Sequence, residues 1–287
     1  MKGRRRDILR AKGAERVKKE RNAMETWAVK VAREASLRRP RLRRVTVAVG
    51  QGSPEDRAIR AALLAADCRV EENWRPGVPA FFGHRGGAIL TARDERGAEL
   101  DSGQLLAALV LVEMENGGGK VAVPAGATAA VDLVAAGYGA QVLRLGRDGE
   151  AARERYTALP WLWFAPSAAV RLCERMGVSG QKLEGLIAKT PRFNACRREV
   201  PLESTAGAVL RSLAEENPRA VQGRGLRLHT GRGWVYLKPG REGERLQVLA
   251  EGPDLELAAE LCDLCAERVR RLDRKLIALQ VQKQSEN

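Results

Sequence analysis

Short β-branched runs alternate with Gly- or Pro-bounded stretches of helical spacing, and this alternation constrains the fold most tightly. Val45-Thr-Val-Ala-Val49 is closed by Gly50 and Gly52, Pro54 to Ala66 reads as a helix with proline near its first turn, and Cys68 to Glu71 reads as the next strand. A strand–helix–strand order needs a crossover, which implies parallel pairing with a helix laid on the sheet. The rhythm repeats with a strand at Ala88 to Ala92, a polar turn at Asp94 to Gly97 and a helix from Ser102 to Glu115. Gly117-Gly-Gly119 stops that helix before a strand at Val121 to Val123, a helix at Ala127 to Ala136 and a strand at Gln141 to Leu145. Residues 146–160 are charged and lack periodicity, and two further helices follow at Ala168 to Met176 and Gln181 to Lys189, with Gly177 between them. From about Pro201 the order changes to a helix, three strands (Gly225 to His229, Trp234 to Leu237, Leu246 to Ala250) and a long final helix. Asp254 is placed to cap that helix, and Leu261, Cys265, Val269, Leu272, Leu276 and Leu279 form its apolar stripe. The fold class expected is α/β: two α/β units with mixed or parallel sheets, then a C-terminal α+β domain.

Charge is distributed unevenly. Residues 1–44 hold seventeen Lys/Arg against five acids, a net +12 out of +14 for the 287 residues. Residues 5–36 contain no proline and one glycine, so a basic helix is expected there, ended by Pro40. Such an arm could bind nucleic acid or another polyanion, but Trp27 is the one aromatic residue available for base stacking. Nucleic-acid binding is therefore the lesser expectation. No apolar run is long enough to span a membrane, and MKGRRRDILR is not followed by the apolar core of a secretory signal. Five scattered cysteines argue against a disulfide scaffold. A cytoplasmic protein is expected.

Several strings, in order, resemble the α-D-phosphohexomutases, the phosphomannomutase and phosphoglucomutase family. Asp94-Glu-Arg-Gly97 followed by Leu100-Asp-Ser-Gly-Gln-Leu-Leu106 resembles the turn and helix after that family's metal loop. Gly117-Gly-Gly-Lys-Val-Ala-Val-Pro124 and Tyr138-Gly-Ala-Gln-Val142 are similar to the start of its third domain, and Lys182-Leu-Glu-Gly-Leu-Ile187 with Pro191 to Pro201 to that domain's end. Gly233-Trp-Val-Tyr-Leu-Lys-Pro239 resembles the strand entering the fourth domain's phosphate loop. After the basic helical arm at 1–40, the likeness implies a unit like the second mutase domain at 41–115, one like the third at 116–197, and one like the fourth, with a polar tail, at 198–287.

The resemblance also implies which functional parts are altered. The family's phosphoserine belongs to a first domain for which no segment is found here. Its metal loop, Asp-Gly-Asp-x-Asp-Arg, is matched by His84-Arg85-Gly86-Gly87-Ala88-Ile89, so His84, Gly86 and Ala88 stand where three aspartates would, and no metal or cofactor is expected. The sugar loop has no counterpart between Leu145 and Ala168. The phosphate clamp is matched by Lys238-Pro-Gly-Arg-Glu-Gly-Glu244, where Lys238, Gly240 and Arg241 could retain an anion against Glu242 and Glu244. No catalytic residue is assigned.

Other motifs carry less. Cys262-x-x-Cys265 has no second pair or suitably spaced histidine and reads as part of a buried helix face. Gly117-Gly-Gly-Lys120 lacks the Ser/Thr and helix of a phosphate-binding P-loop. His229 is expected on a strand, facing solvent. The leading expectation is a degenerate phosphohexomutase-like pseudoenzyme, a binding, regulatory or assembly module of carbohydrate metabolism. A sugar nucleotidyltransferase or an intact mutase is the partner class the resemblance implies, with a phosphosugar or other anion held weakly. The alternatives are a residual phosphohexomutase-type enzyme and a polyanion-binding protein acting through the basic arm.

Overall fold

The computed structural model describes residues 40–84, 89–145, 164–222, 225–231, 233–240 and 244–285. The expected basic helix and the Trp161-Leu-Trp163 cluster lie outside them. The chain divides into two compact units, which among the described residues comprise 40–116 with 164–190, and 117–145 with 191–285. The sequence-derived units followed chain order; the division here is discontinuous.

The first unit opens with a 3-10 turn at Pro40–Arg44, then β1 (Thr46–Ala48), α1 (Pro54–Ala65) and β2 (Arg69–Glu71). As the crossover implied, β1 and β2 are parallel. Ser53 caps α1 by accepting from the Asp56 N–H at 3.0 Å, Pro54 occupies its first turn, and Ala58, Ile59, Ala62 and Leu63 are buried. A strand the alternation did not reveal, β3 (Ala80–His84), pairs parallel with β1 and antiparallel with β4 (Ile89–Arg93). With β5 (Glu99–Leu100) the order is β2-β1-β3-β4-β5, a mixed sheet. Gly83 is required on β3, because a Cβ there would stand 2.7 Å from the Glu55 Cβ of α1. Helix α2 (Ser102–Glu115) starts at a capping box made by Asp101 and Gln104 and is buried nearly all round.

Two helices from later in the chain complete this unit, α4 (Ala165–Ser179) and α5 (Leu183–Ile187). The break expected at Gly177 lies instead at Gly180. Gly177 is inside α4, whereas Gly180 adopts φ +68° and donates its N–H to the Met176 carbonyl at 2.8 Å.

The second unit begins with β6 (Lys120–Pro124), α3 (Ala130–Gly137) and β7 (Gln141–Leu145), and β6 and β7 pair in parallel over their full lengths. It continues with β8 (Asn194–Pro201), α6 (Ala206–Glu216), β9 (Val221–Gln222), β10 (Gly225–Thr230), β11 (Gly233–Pro239), β12 (Arg245–Gly252) and α7 (Leu255–Ser285). The last five strands make an antiparallel sheet ordered β8-β12-β11-β10-β9. The 197/198 boundary read from sequence falls within β8, which pairs with β12 along eight residues from Asn194 to Pro201. Asp254 caps α7 as expected, accepting from the Leu257 N–H at 2.7 Å.

Period-two alternation gives this sheet two different faces. Leu226, Val235, Leu237, Leu246, Val248 and Ala250 pack with α6 and α7. The residues between them, Arg227, Trp234, Tyr236, Leu249 and Glu251, point the other way, and Trp234 and Tyr236 pack with Ala125 after β6.

Candidate anion and metal loops, and a buried arginine pair

His84 ends β3 and is exposed; its Nε2 lies 2.9 Å from the Thr91 hydroxyl on β4. Arg85 and the other two expected loop positions, Gly86 and Ala88, fall outside the described residues. Between His84 and Ile89 the sequence offers no carboxylate, while a hard divalent cation takes oxygen ligands. The loop does not fit Mg²⁺.

Lys238 is exposed on β11 opposite Gln247, and the chain turns directly after it. The Gly240 N–H donates to the Arg245 carbonyl at 2.8 Å, and a Cβ on Gly240 would sit 3.0 Å from that oxygen. The glycine thus closes a tight connection between β11 and β12, and its N–H is committed there rather than turned toward an anion. Arg241 lies outside the described residues. His84 belongs to the first unit; Lys238 and Gly240 belong to the second.

Sequence reasoning missed the most heavily charged buried constellation. On the face of the C-terminal sheet away from α6 and α7, Arg227 has a fully buried side chain and lies 3.6 Å above the Trp234 ring. Its Nη1 donates to the carbonyls of Ala125 at 3.1 Å and Ala127 at 3.0 Å. Arg144 of β7 donates to the Ala127 carbonyl at 2.8 Å and the Thr128 carbonyl at 3.2 Å, and pairs with Asp132 of α3. Asp132 also stands 3.9 Å from Arg227 Nη2. Burial, then the neighbouring Arg144, lowers the Arg227 pKa to about 10, against the opposite pull of Asp132 and Glu251.

Glu251 completes the arrangement. Its Oε2 accepts from the Ala129 N–H and from Trp234 Nε1, both at 2.8 Å. Burial nevertheless raises its pKa, more than the bonds from Ala129, Thr128 and Trp234 and the charge of Arg227 lower it. The constellation binds the β6–α3 loop to the C-terminal sheet. Arg227 Nη1 and Arg144 donate to loop carbonyls and Arg144 also to Asp132, which clasps the loop, while Arg227 Nε and Nη2 have no hydrogen-bond partner among the described residues. In sequence Arg227 reads as the ordinary polar partner in the alternation Leu226-Arg-Leu228, so nothing there signalled that this face of the strand is also buried.

The remaining buried carboxylates are similarly committed. Asp94 accepts from the N–H groups of Arg96 and Ala98 in its own turn. Glu95 caps α5 by accepting from Leu183 at 2.7 Å and Glu184 at 3.1 Å. Glu174 pairs with Arg171 at 2.9 Å. Asp273 on α7 accepts from the N–H groups of Glu203 and Ser204 just before α6. Among the described residues no group of three or more His, Cys, Asp or Glu could hold a metal ion. No described helix is long and apolar enough to cross a membrane. His229 is exposed on β10, as expected, and Cys262 and Cys265 are buried.

No family model and no curated protein matches the sequence. Solved structures do match. A phosphoglucomutase/phosphomannomutase family protein from Burkholderia thailandensis is 16% identical, with 76% of this chain and 58% of that one covered at a TM-score of 0.59. The N-acetylphosphoglucosamine mutase of Aspergillus fumigatus, solved with GlcNAc-6P and magnesium, is 9% identical, with 85% and 65% covered at 0.60. An N-acetylglucosamine-phosphate mutase of the α-D-phosphohexomutase superfamily, solved in its product complex, is 9% identical, with 86% and 65% covered at 0.58. The chain thus spans less than two thirds of the length of each of these structures. At such identities the shared property is architecture, and it agrees with the order of strings read from the sequence: this chain is built on the α-D-phosphohexomutase fold.

Proposed function

We propose that this chain is a non-catalytic module on the phosphohexomutase fold, serving a binding, regulatory or assembly role in sugar-phosphate metabolism. The observation that carries the reading is the chemistry of the metal-loop stretch, where His84-Arg-Gly-Gly-Ala-Ile89 contains no carboxylate and His84 is held against Thr91. Two further features support it. The Gly240 N–H closes a hairpin, and every buried carboxylate among the described residues already serves a backbone cap, a side-chain partner or an ion pair. No titratable pair is left for general acid–base work at these positions. Fold alone does not transmit the activity of the matched enzymes. A sugar nucleotidyltransferase or an intact mutase is the partner class this role calls for.

The test is a coupled assay for interconversion of glucose or mannose 1- and 6-phosphates, with Mg²⁺ and the corresponding bisphosphate present. Phosphoryl transfer draws most of its acceleration from metal and positioned charge, so turnover should be undetectable. A rate near about 1 per second, modest for an enzyme, would establish the residual-mutase reading instead.

A further inference from the structure

Four of the five cysteines face one another in two buried pairs, Cys68 with Cys173 and Cys196 with Cys262. The second pair has surroundings that the first lacks. The Cys262 thiol on α7 lies 3.6 Å from the Cys196 carbonyl on β8 and 3.7 Å from the Val248 carbonyl, and Cys196 is among the neighbours that raise its pKa. Ala258, Cys262 and Ala266, one helical turn apart, give α7 a narrow face toward the sheet. Arg198, two residues along β8, places Nη1 3.0 Å from the Cys196 sulfur. Its guanidinium is itself fixed by Asp263 of α7, with Nε 2.8 Å and Nη2 3.4 Å from the two carboxylate oxygens.

We propose that Cys196 and Cys262 form a peroxide-oxidisable pair, closing to a disulfide that ties β8 to α7. Cys262 meets Cys196, 66 residues earlier in the chain. The two cysteines take different parts. Cys196 lies on the outermost strand of its sheet, with the Arg198 guanidinium 3.0 Å from its sulfur. Burial pushes the Cys262 thiol up to about 12, so it stays protonated until an electrophilic sulfur is beside it.

The chemistry balances with hydrogen peroxide as oxidant. The Cys196 thiolate attacks one peroxide oxygen, the O–O bond breaks, and a sulfenic acid and hydroxide result; the hydroxide takes the proton that Cys196 lost. Cys262 sulfur then attacks the sulfenic sulfur, the S–O bond breaks, and the departing hydroxide leaves as water with the Cys262 proton. Two thiols and one peroxide give one disulfide and two waters.

The experiment treats the full chain with a few equivalents of hydrogen peroxide, alkylates remaining thiols, and maps peptides without reduction. The expected result is a cross-linked peptide joining Cys196 and Cys262, with an intact mass lower by about 2 Da for the two hydrogens lost. In Cys262→Ser, dimedone should trap a sulfenic acid at Cys196. Arg198→Gln, at an exposed position that leaves the core unchanged, should slow cross-linking at least about threefold, whereas Cys265→Ser should not. Absence of the Cys196–Cys262 peptide, or equal rates in wild type and Arg198→Gln, overturns the proposal. The peptide map separates this bond from any formed between Cys68 and Cys173.

Discussion

The guanidinium of Arg227 lies 3.6 Å above the Trp234 ring, and Trp234 donates its indole N–H to Glu251 at 2.8 Å. One aromatic residue on β11 therefore joins a buried cation on β10 to a buried carboxyl on β12. Removing the cation should be costly, because Asp132 and the Ala125 and Ala127 carbonyls lose a partner together. Arg227→Met is expected to lower stability by about 3 kcal/mol, measured by urea denaturation, with amides of β10 to β12 losing hydrogen-exchange protection first. Arg227→Lys should rescue little, since an ammonium lacks the planar fork that reaches two carbonyls while stacking on a ring. Full rescue by lysine would show that charge alone matters.

Two buried carboxyl groups should give opposite dependences on pH. Glu251 has a folded-state pKa above its ordinary 4.5, so the folded state holds the proton more tightly. Its contribution is complete below 4.5 and is lost as pH rises through the raised value. Glu251→Gln mimics the protonated form and should leave stability at pH 7 equal or higher by about 1 kcal/mol, with a flatter profile above pH 4.5.

Asp273 is the reverse case. Burial raises its pKa, but the hydrogen bonds from Ser204 and Glu203 outweigh burial and leave it below 3.8. Its contribution is present above 3.8 and is lost as pH falls through the lower folded-state value. Asp273→Asn should therefore cost about 1–2 kcal/mol at pH 7 and much less in strong acid. Thermal melts of both variants across pH 3–8 would separate the two behaviours; parallel profiles would refute the assignment.

The loop from Lys238 to Glu244 should hold phosphosugars poorly. It has lost hydroxyl donors relative to the mutase pattern and carries Glu242 and Glu244, and the Gly240 N–H is already bonded. Calorimetric titration with mannose 1-phosphate should give a Kd weaker than about 1 mM. Micromolar binding abolished by Lys238→Ala and Arg241→Ala would reveal a clamp rebuilt in another form.

If residues 1–44 serve a polyanion, affinity should fall steeply with salt as condensed counterions are released. Deleting those residues removes +12 of the +14 charge and should abolish a gel shift seen at low salt. A shift that survives the deletion would place the contact in the nearly neutral remainder.

The alternation of β-branched runs, glycines and helical spacing determined the crossover between β1 and β2, the parallel β6–β7 pair and the cap at Asp254, because these depend on residues near one another in sequence. Only tertiary structure decided where β3 and β8 belong. Their ladders are made with strands distant along the chain or entered through loops without periodicity, and pairing rather than propensity holds them. Arg227 and Glu251 kept the apolar alternation and read as solvent-facing residues; what buries them is a loop and helix roughly 100 residues earlier. The Cys196–Cys262 pairing was hidden for the same reason: spacing shows which residues share a helix face, but not which strand that face covers.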